Sequence, residues 1–238
     1  MTRIDGRAPG ELRAVTFERA FTDTAPGSVL ASFGRTRVLC TATYLDGVPS
    51  FLQGSGRGWL TAEYAMLPSS TTSRKPRERG TKFDGRSIEI QRLIGRSLRS
   101  VVDFAKTTER TIWIDCDVLQ ADGGTRTTAI SGAWVALHDL LKHMEKRRVL
   151  REWPLTSQIA AVSVGALAGE PVCDLSYAED SKADVDMNLV MTGAGHFVEV
   201  QGSAEGSTFP RATLDAMLDL GQAAIERIFE LQRAALGL

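Results

Sequence analysis

Three segments of this chain carry side chains whose types and spacing could handle phosphate chemistry. The first reads DVLQADGGTRTTAISGA over 117–133. An apolar, β-prone run at 111–119 stops at Asp122-Gly123-Gly124, and a small-residue run that reads as a helix starts at Arg126. A strand, a glycine turn and a helix start form the outline of an anion site. Glycines let the backbone come close, and the first N–H groups of a helix have no intrahelical acceptor. Thr125 adds a hydroxyl, and Arg126 adds a permanent charge with forked donors that match phosphate oxygens. The same residues also suit an ordinary tight turn with Thr125 as a helix cap. No Gly-Lys-Ser/Thr follows the glycines, so this is not a Walker loop. The cluster Gly54-Ser55-Gly56-Arg57-Gly58 has the wrong spacing for a dinucleotide fingerprint and reads as a flexible loop.

The second segment, DLSYAEDSKADVDMN over 174–188, holds Asp174, Glu179, Asp180, Asp184 and Asp186 beside a β-prone run at 185–191. Asp184 and Asp186 fall on one face of that strand, and Asp180 can reach the same place from the preceding turn. Carboxylates without His or Cys suit a hard cation such as Mg²⁺ or Mn²⁺. The plain alternative is an acidic turn facing water. The third segment is basic: residues 74–110 hold eleven Lys/Arg against five Asp/Glu, a balance of +6 in a chain of net charge -1. Such a segment is a footprint for nucleic acid or phosphate, or else a solvated helix face with lone arginines. An anion site, a basic stretch and a carboxylate cluster are together the parts of phosphoryl transfer. No Ser, Cys or His is set up as a nucleophile, so the attacking group would come from solution. His138 and His143 lie five apart on an expected helix, about 140° around its axis, which does not make a paired metal site.

The elements that must position these residues follow from periodicity. Strands are expected at 15–21, 28–33, 36–45, 59–66 and 111–119, with a hairpin turn at Gly34-Arg35. A long polar, basic loop spans 69–83, and a helix capped by Asp84 or Ser87 runs to about 105. A helix at 126–144 follows. Strands at 158–167 and 172–175, a hairpin of 183–192 with 196–201, and a helix at 210–236 complete the chain. Strands followed by helices, twice over, predict an α+β fold in which mixed sheets pack on helices. The 238 residues are read as one domain of two similar α/β halves, roughly 1–150 and 151–238. The three cysteines are far apart, which points to a reducing cytoplasmic compartment and away from zinc. The N-terminus has no apolar segment of a signal peptide, and no run is long enough to span a membrane.

Six motifs, in order, make the chain similar to a known family: RIDGR at 3–7, AEYAMLPSST at 62–71, GRSIEIQRLIGRSLR at 85–99, DCDVLQADGGTRT at 115–127, EDSKADVDMN at 179–188 and VEVQGSAEG at 198–206. The chain resembles the ribonuclease PH family of phosphate-dependent 3′→5′ exoribonucleases, nearly end to end. The resemblance implies duplicated split β-α-β units and a homo-oligomeric ring, a hexamer built as a trimer of dimers. It implies that inorganic phosphate, as co-substrate, attacks the last phosphodiester of RNA and releases a nucleoside diphosphate. The substrates implied are tRNA precursors, and the reaction is reversible, so that it also adds nucleotides to RNA 3′ ends.

The resemblance further assigns roles by position. Arg86, Gly124, Thr125 and Arg126 would hold phosphate, with Arg126 also counted as catalytic. Asp180 and Asp186 would be catalytic and place Mg²⁺ or Mn²⁺, with Asp184 in a supporting role. Arg74, Arg77 and Arg79 would contact RNA from the loop, and Arg92 and Arg96, with Arg99, from the helix. Two rival readings remain open: a metal-dependent hydrolytic nuclease releasing monophosphates, and an RNA-binding ring subunit without activity.

Overall fold

Alternation of apolar and polar residues turns the first third of the chain into strands with one buried face. A computed structural model describes residues 3–77, 84–204, 206 and 208–238. Strands β1 (Val15–Arg19), β2 (Gly27–Phe33), β3 (Thr36–Asp46), β4 (Trp59–Met66) and β5 (Arg110–Gln120) form one sheet in the order β1-β2-β3-β5-β4. Val29, Ala31, Phe33, Val38, Cys40, Ala42, Ile112, Ile114, Cys116 and Val118 recur at every second position and are buried. Glu63, Asp115 and Asp117 fall on the other face, with Glu63 directly opposite Asp115.

β4 and β5 are parallel and neighbouring, so the chain must cross over between them. Helix α1 (Gly85–Arg99) makes the crossover, capped by Asp84, whose carboxylate accepts from the Arg86 N–H. It stops at Arg99, short of the expected 105. Asp103 there accepts from the Ala105 N–H and starts a separate 3₁₀ turn, Phe104–Lys106.

Helix α2 (Thr125–Lys146) is apolar nearly all round, because both its sides are covered. It packs on β2 and β3 on one side and on β6 (Ile159–Leu167) on the other. Gly132 is where it meets the first sheet: a Cβ there would lie 2.5 Å from the Ala31 Cβ and 2.8 Å from the Cys40 Sγ. Ser131 meets the second sheet, its Oγ accepting from the Ala161 N–H at 3.1 Å.

The second sheet runs β7-β6-β8-β9, all antiparallel, with β7 Glu170–Cys173, β8 Val185–Thr192 and β9 Phe197–Ala204. Every residue of β6 is buried, since α2 covers one face and α4 (Arg211–Leu236) the other. Gln232 fastens α4 by donating to the Ser131 and Ile159 carbonyls at 3.0 and 3.1 Å. β7 ends before the expected 175, because Asp174 takes a left-handed φ of 50°. The stretch expected as an acidic turn contains a short helix, α3 (Tyr177–Asp180), closed by a Ser176–Glu179 capping box.

The result is a mixed α+β fold, with two sheets and four helices among the described residues. One continuous apolar cluster draws on both sheets and on α1, α2 and α4. No helix among these residues is long and apolar enough to cross a membrane.

Candidate active site

The glycine turn sits where β5 hands over to α2. Gly123 and Gly124 have φ of 76° and 66°, a conformation that costs other residues a Cβ clash. Gly124 is the N-cap, and a glycine has no side chain to cap the helix. The first N–H groups of α2 therefore take no side-chain acceptor at this cap, as an anion site requires. Thr125 is the first helical residue rather than the cap.

Two residues not singled out from the sequence hold this turn. Arg13 donates from Nη1 to the Asp122 carbonyl at 2.5 Å and from Nη2 to the Gly123 carbonyl at 3.5 Å. Thr36 donates to the Gly123 carbonyl at 2.6 Å and accepts from the Asp122 N–H at 2.9 Å. The carbonyls are thus tied back into the protein.

The turn also touches the carboxylate segment, some fifty residues further along the chain. A Cβ on Gly123 would lie 2.5 Å from the Leu175 carbonyl oxygen and 2.8 Å from the Tyr177 backbone nitrogen. Only glycine lets the two backbones come this close, and the contact falls at the start of the helix that ends in Asp180. Asp186 is the second residue of β8, opposite Gly165 and Ser203. Asp180 and Asp186 are both half-buried. Asp184 departs from the expected shared face: it precedes β8, and its carboxylate accepts from the Gly169 N–H at 3.0 Å. That bond assigns it to the β6–β7 turn.

An N-terminal clasp sets the position of α3. Arg3 donates from Nε and Nη2 to the two carboxylate oxygens of Glu179 at 2.7 and 2.8 Å, and both side chains are nearly inaccessible. Arg7 lies 3.3 Å from the same carboxylate, and Arg13 pairs with Asp174 at 2.7 Å. This explains the RIDGR motif: its arginines fasten the carboxylate segment. Burial alone would push the Glu179 carboxyl up, but the bonds from Arg3 and Ser176 outweigh it and hold it at about 2, against an ordinary 4.5. A carboxyl depressed in the folded state contributes stability above its unfolded value and loses it as pH falls. Between pH 4.5 and 2 the protein is expected to lose roughly 3 kcal/mol from this group. Asp115 and Asp117 act in the opposite sense, since burial and then neighbouring Glu63 raise them. Urea unfolding across this pH range, compared with Glu179→Gln, reads the Glu179 share; equal pH dependence in both proteins would refute it.

Tyr64 on β4 is a further site residue. It is buried and its hydroxyl lies 2.8 Å from the Thr125 Oγ1. Burial pushes the phenol up, while the bond to Thr125 and the charges of Arg86 and Arg126 pull it back. The charges of both arginines thus bear on the Tyr64 phenol. A protonated phenol donating to Thr125 leaves the threonine hydroxyl to donate outward. Tyr64→Phe is expected to raise the KM for inorganic phosphate about fivefold, the loss of one modest hydrogen bond; an unchanged KM would remove Tyr64 from the site.

Arg126 donates from Nη1 to Glu89 Oε1 and to Gln201 Oε1, each at 3.0 Å. A cleft of about 270 Å³ lies alongside, lined by Gly85, Ile88, Glu89, Arg92, Arg96, Glu199 and Gln201. Arg96 pairs with Glu199 at 2.9 Å, which links α1 to β9. Arg86, Arg92 and Arg96 are exposed on α1, and Arg74 and Arg77 lie in the loop after β4. Arg79 lies outside the described residues.

The two residues expected to hold a metal, Asp180 and Asp186, are half-buried carboxylates with no His or Cys between them in the sequence. Among the described residues no group of three or more His, Cys, Asp or Glu is placed to hold an ion. Two oxygen ligands fit Mg²⁺ or Mn²⁺ held in part by water and substrate oxygens, and they do not form a closed cage.

Family models account for most of the chain. The model described as the 3′ exoribonuclease family, domain 1, matches residues 11–142, and that for domain 2 matches 157–224. Among solved structures, rice (Oryza sativa) Rrp46 superposes with a TM-score of 0.81 at 20% identity, over 99% of this chain and 100% of that one. A chain of the Archaeoglobus fulgidus exosome with RNA bound to the active site gives 0.78 at 22%, over 96% and 91%. A chain of an archaeal exosome core gives 0.75 at 20%, over 98% and 91%. At these identities the likeness is one of fold.

Proposed function

The chain belongs to the 3′ exoribonuclease family, and from that premise we propose that it is a phosphorolytic enzyme that shortens RNA from its 3′ end. The observation that carries the reading is the start of α2 behind a glycine turn, with Thr125 and Arg126 on it and Tyr64 bonded to the Thr125 hydroxyl. This is a receptor for a small tetrahedral anion, and free phosphate is the anion that phosphorolysis consumes.

The chemistry needs little from an acid or base. Phosphate is already a nucleophile near neutral pH, and the obstacle is its approach to an anionic phosphodiester. Arg86, Arg126 and the N–H groups at the start of α2 screen that repulsion and orient the attack. A phosphate oxygen forms a bond to the terminal phosphorus, the bond to the 3′ oxygen of the preceding nucleotide breaks, and that oxygen takes up a proton. Asp180 and Asp186 would hold Mg²⁺ or Mn²⁺, which supplies charge stabilisation to oxygens of the reacting phosphates. One phosphoanhydride forms for one diester broken, so nucleoside diphosphates in excess drive 3′ extension.

The finer parts of the proposal concern setting. Precursors of tRNA are the proposed substrates, drawn in by Arg74, Arg77, Arg79, Arg92 and Arg96. Residues 1–238 form one functional unit in this reading, supported by the main apolar core, which draws on both halves. We place this unit in a homohexameric ring in the cytoplasm; three free, buried cysteines fit a reducing compartment.

The test is a tRNA bearing extra 3′ nucleotides, incubated with Mg²⁺ with and without inorganic phosphate. Nucleoside diphosphates formed only with phosphate are expected. Monophosphates in both reactions would mean hydrolysis. RNA bound without release in either would mean a subunit that has lost the chemistry.

A further inference from the structure

Arg126 is held at one nitrogen by two residues from different layers of the fold. Glu89 comes from α1, which follows the first sheet's edge strand, and Gln201 from β9 of the second sheet. Both accept from Nη1 at 3.0 Å. Gln201 also donates from Nε2 to Glu89 Oε1 at 3.3 Å, which closes the triangle and keeps the amide oxygen turned to the arginine. The Arg126 side chain is 15% exposed, against 45% for Glu89.

A guanidinium is planar, so fixing Nη1 from two directions restricts the whole plane. Neither bond uses Nε, so the forked Nε–Nη2 edge is not consumed by this pair. A loose arginine loses its rotamer freedom when an anion arrives. One already held has lost that freedom on folding, and the anion binds more tightly for it.

We infer that Glu89 and Gln201 are positioning residues that orient Arg126 for inorganic phosphate, so that phosphate affinity depends on contact between the two halves of the chain. This rests on the phosphate reading of Arg126. The Glu89 charge also opposes an incoming anion, and the two effects predict opposite signs. If orientation dominates, removing Glu89 weakens phosphate binding. If repulsion dominates, removing it strengthens binding.

The experiment uses the full chain as Glu89→Ala, Glu89→Gln and Gln201→Ala. It measures KM for phosphate, KM for RNA and kcat, with equilibrium dialysis of labelled phosphate as a readout independent of turnover. Glu89→Ala and Gln201→Ala are expected to raise the phosphate KM and the dialysis Kd about tenfold, with the RNA KM moving less than about twofold. Glu89→Gln keeps an acceptor oxygen and rescues most of the loss. Gln201 is exposed on its strand, so its variant stands if Glu89→Ala misfolds. An unchanged or lowered phosphate KM in Gln201→Ala and in a folded Glu89→Ala overturns the inference, as does an equal rise in the RNA KM. Wild-type protein that neither binds phosphate nor needs it would instead overturn the phosphate reading itself.

Discussion

Arg126→Ala is expected to lower phosphate-dependent release by about 10³-fold or more while RNA binding stays within a few-fold of wild type. Arg126 is the second residue of α2, directly after Thr125, and brings a permanent charge to the helix start behind the glycine turn. In the proposed reaction it would oppose repulsion between two anions, which is greatest where their oxygens crowd together in the transition state. A contact of this kind is worth most in the rate. The RNA backbone, by contrast, is expected to meet the exposed arginines of the loop and of α1, so its affinity is spread over several charges. Arg126 makes partly exposed contacts to Glu89 and Gln201, so its loss is expected to cost about 1 kcal/mol of stability or less. Single-turnover release and filter binding on the same preparation separate the two effects. An equal fall in RNA binding would move Arg126 from the proposed phosphate site to the proposed RNA-binding residues.

Asp180→Asn and Asp186→Asn are each expected to lower the rate by about 10²- to 10³-fold, with phosphate binding by dialysis nearly unchanged. The substitution keeps size and one acceptor oxygen but removes a negative charge, and a hard cation depends on that charge. If both carboxylates serve one ion, the double variant is expected to be little worse than either single one, because the first substitution already empties the site. The Mg²⁺ concentration needed for half-maximal rate should rise in each single variant. Wild-type rates and an unchanged metal dependence in either variant would remove that residue from the proposed metal pair.

Much of the local structure was legible in the sequence for a simple reason: it depends on neighbours in the chain. The strand at β3, the hairpin at Gly34, Asp84 as one of two expected caps and the strand–glycine–helix order around Gly124 follow from alternation, turn chemistry and capping. The acidic residues of the short helix α3 read as a solvated turn in the sequence. Its one sequence signal was the Ser176–Glu179 spacing of a capping box. Apolar spacing through Val101 carries the expected end of α1 past Arg99, while Asp103 starts a new turn.

Sequence alone thus determined which side chains could do the chemistry, the family they resemble, and the element on which most of them sit. Tertiary structure alone decided what holds them. Arg13 and Thr36 reach the glycine turn from far upstream, and Gly123 meets the start of α3. Arg3 crosses 176 positions to Glu179, and Gln201 reaches Arg126 from the second sheet. It also withdrew Asp184 to the β6–β7 turn. These pairings leave no periodic trace, because contacts between distant segments depend on how two sheets close around α2, a helix buried on both sides.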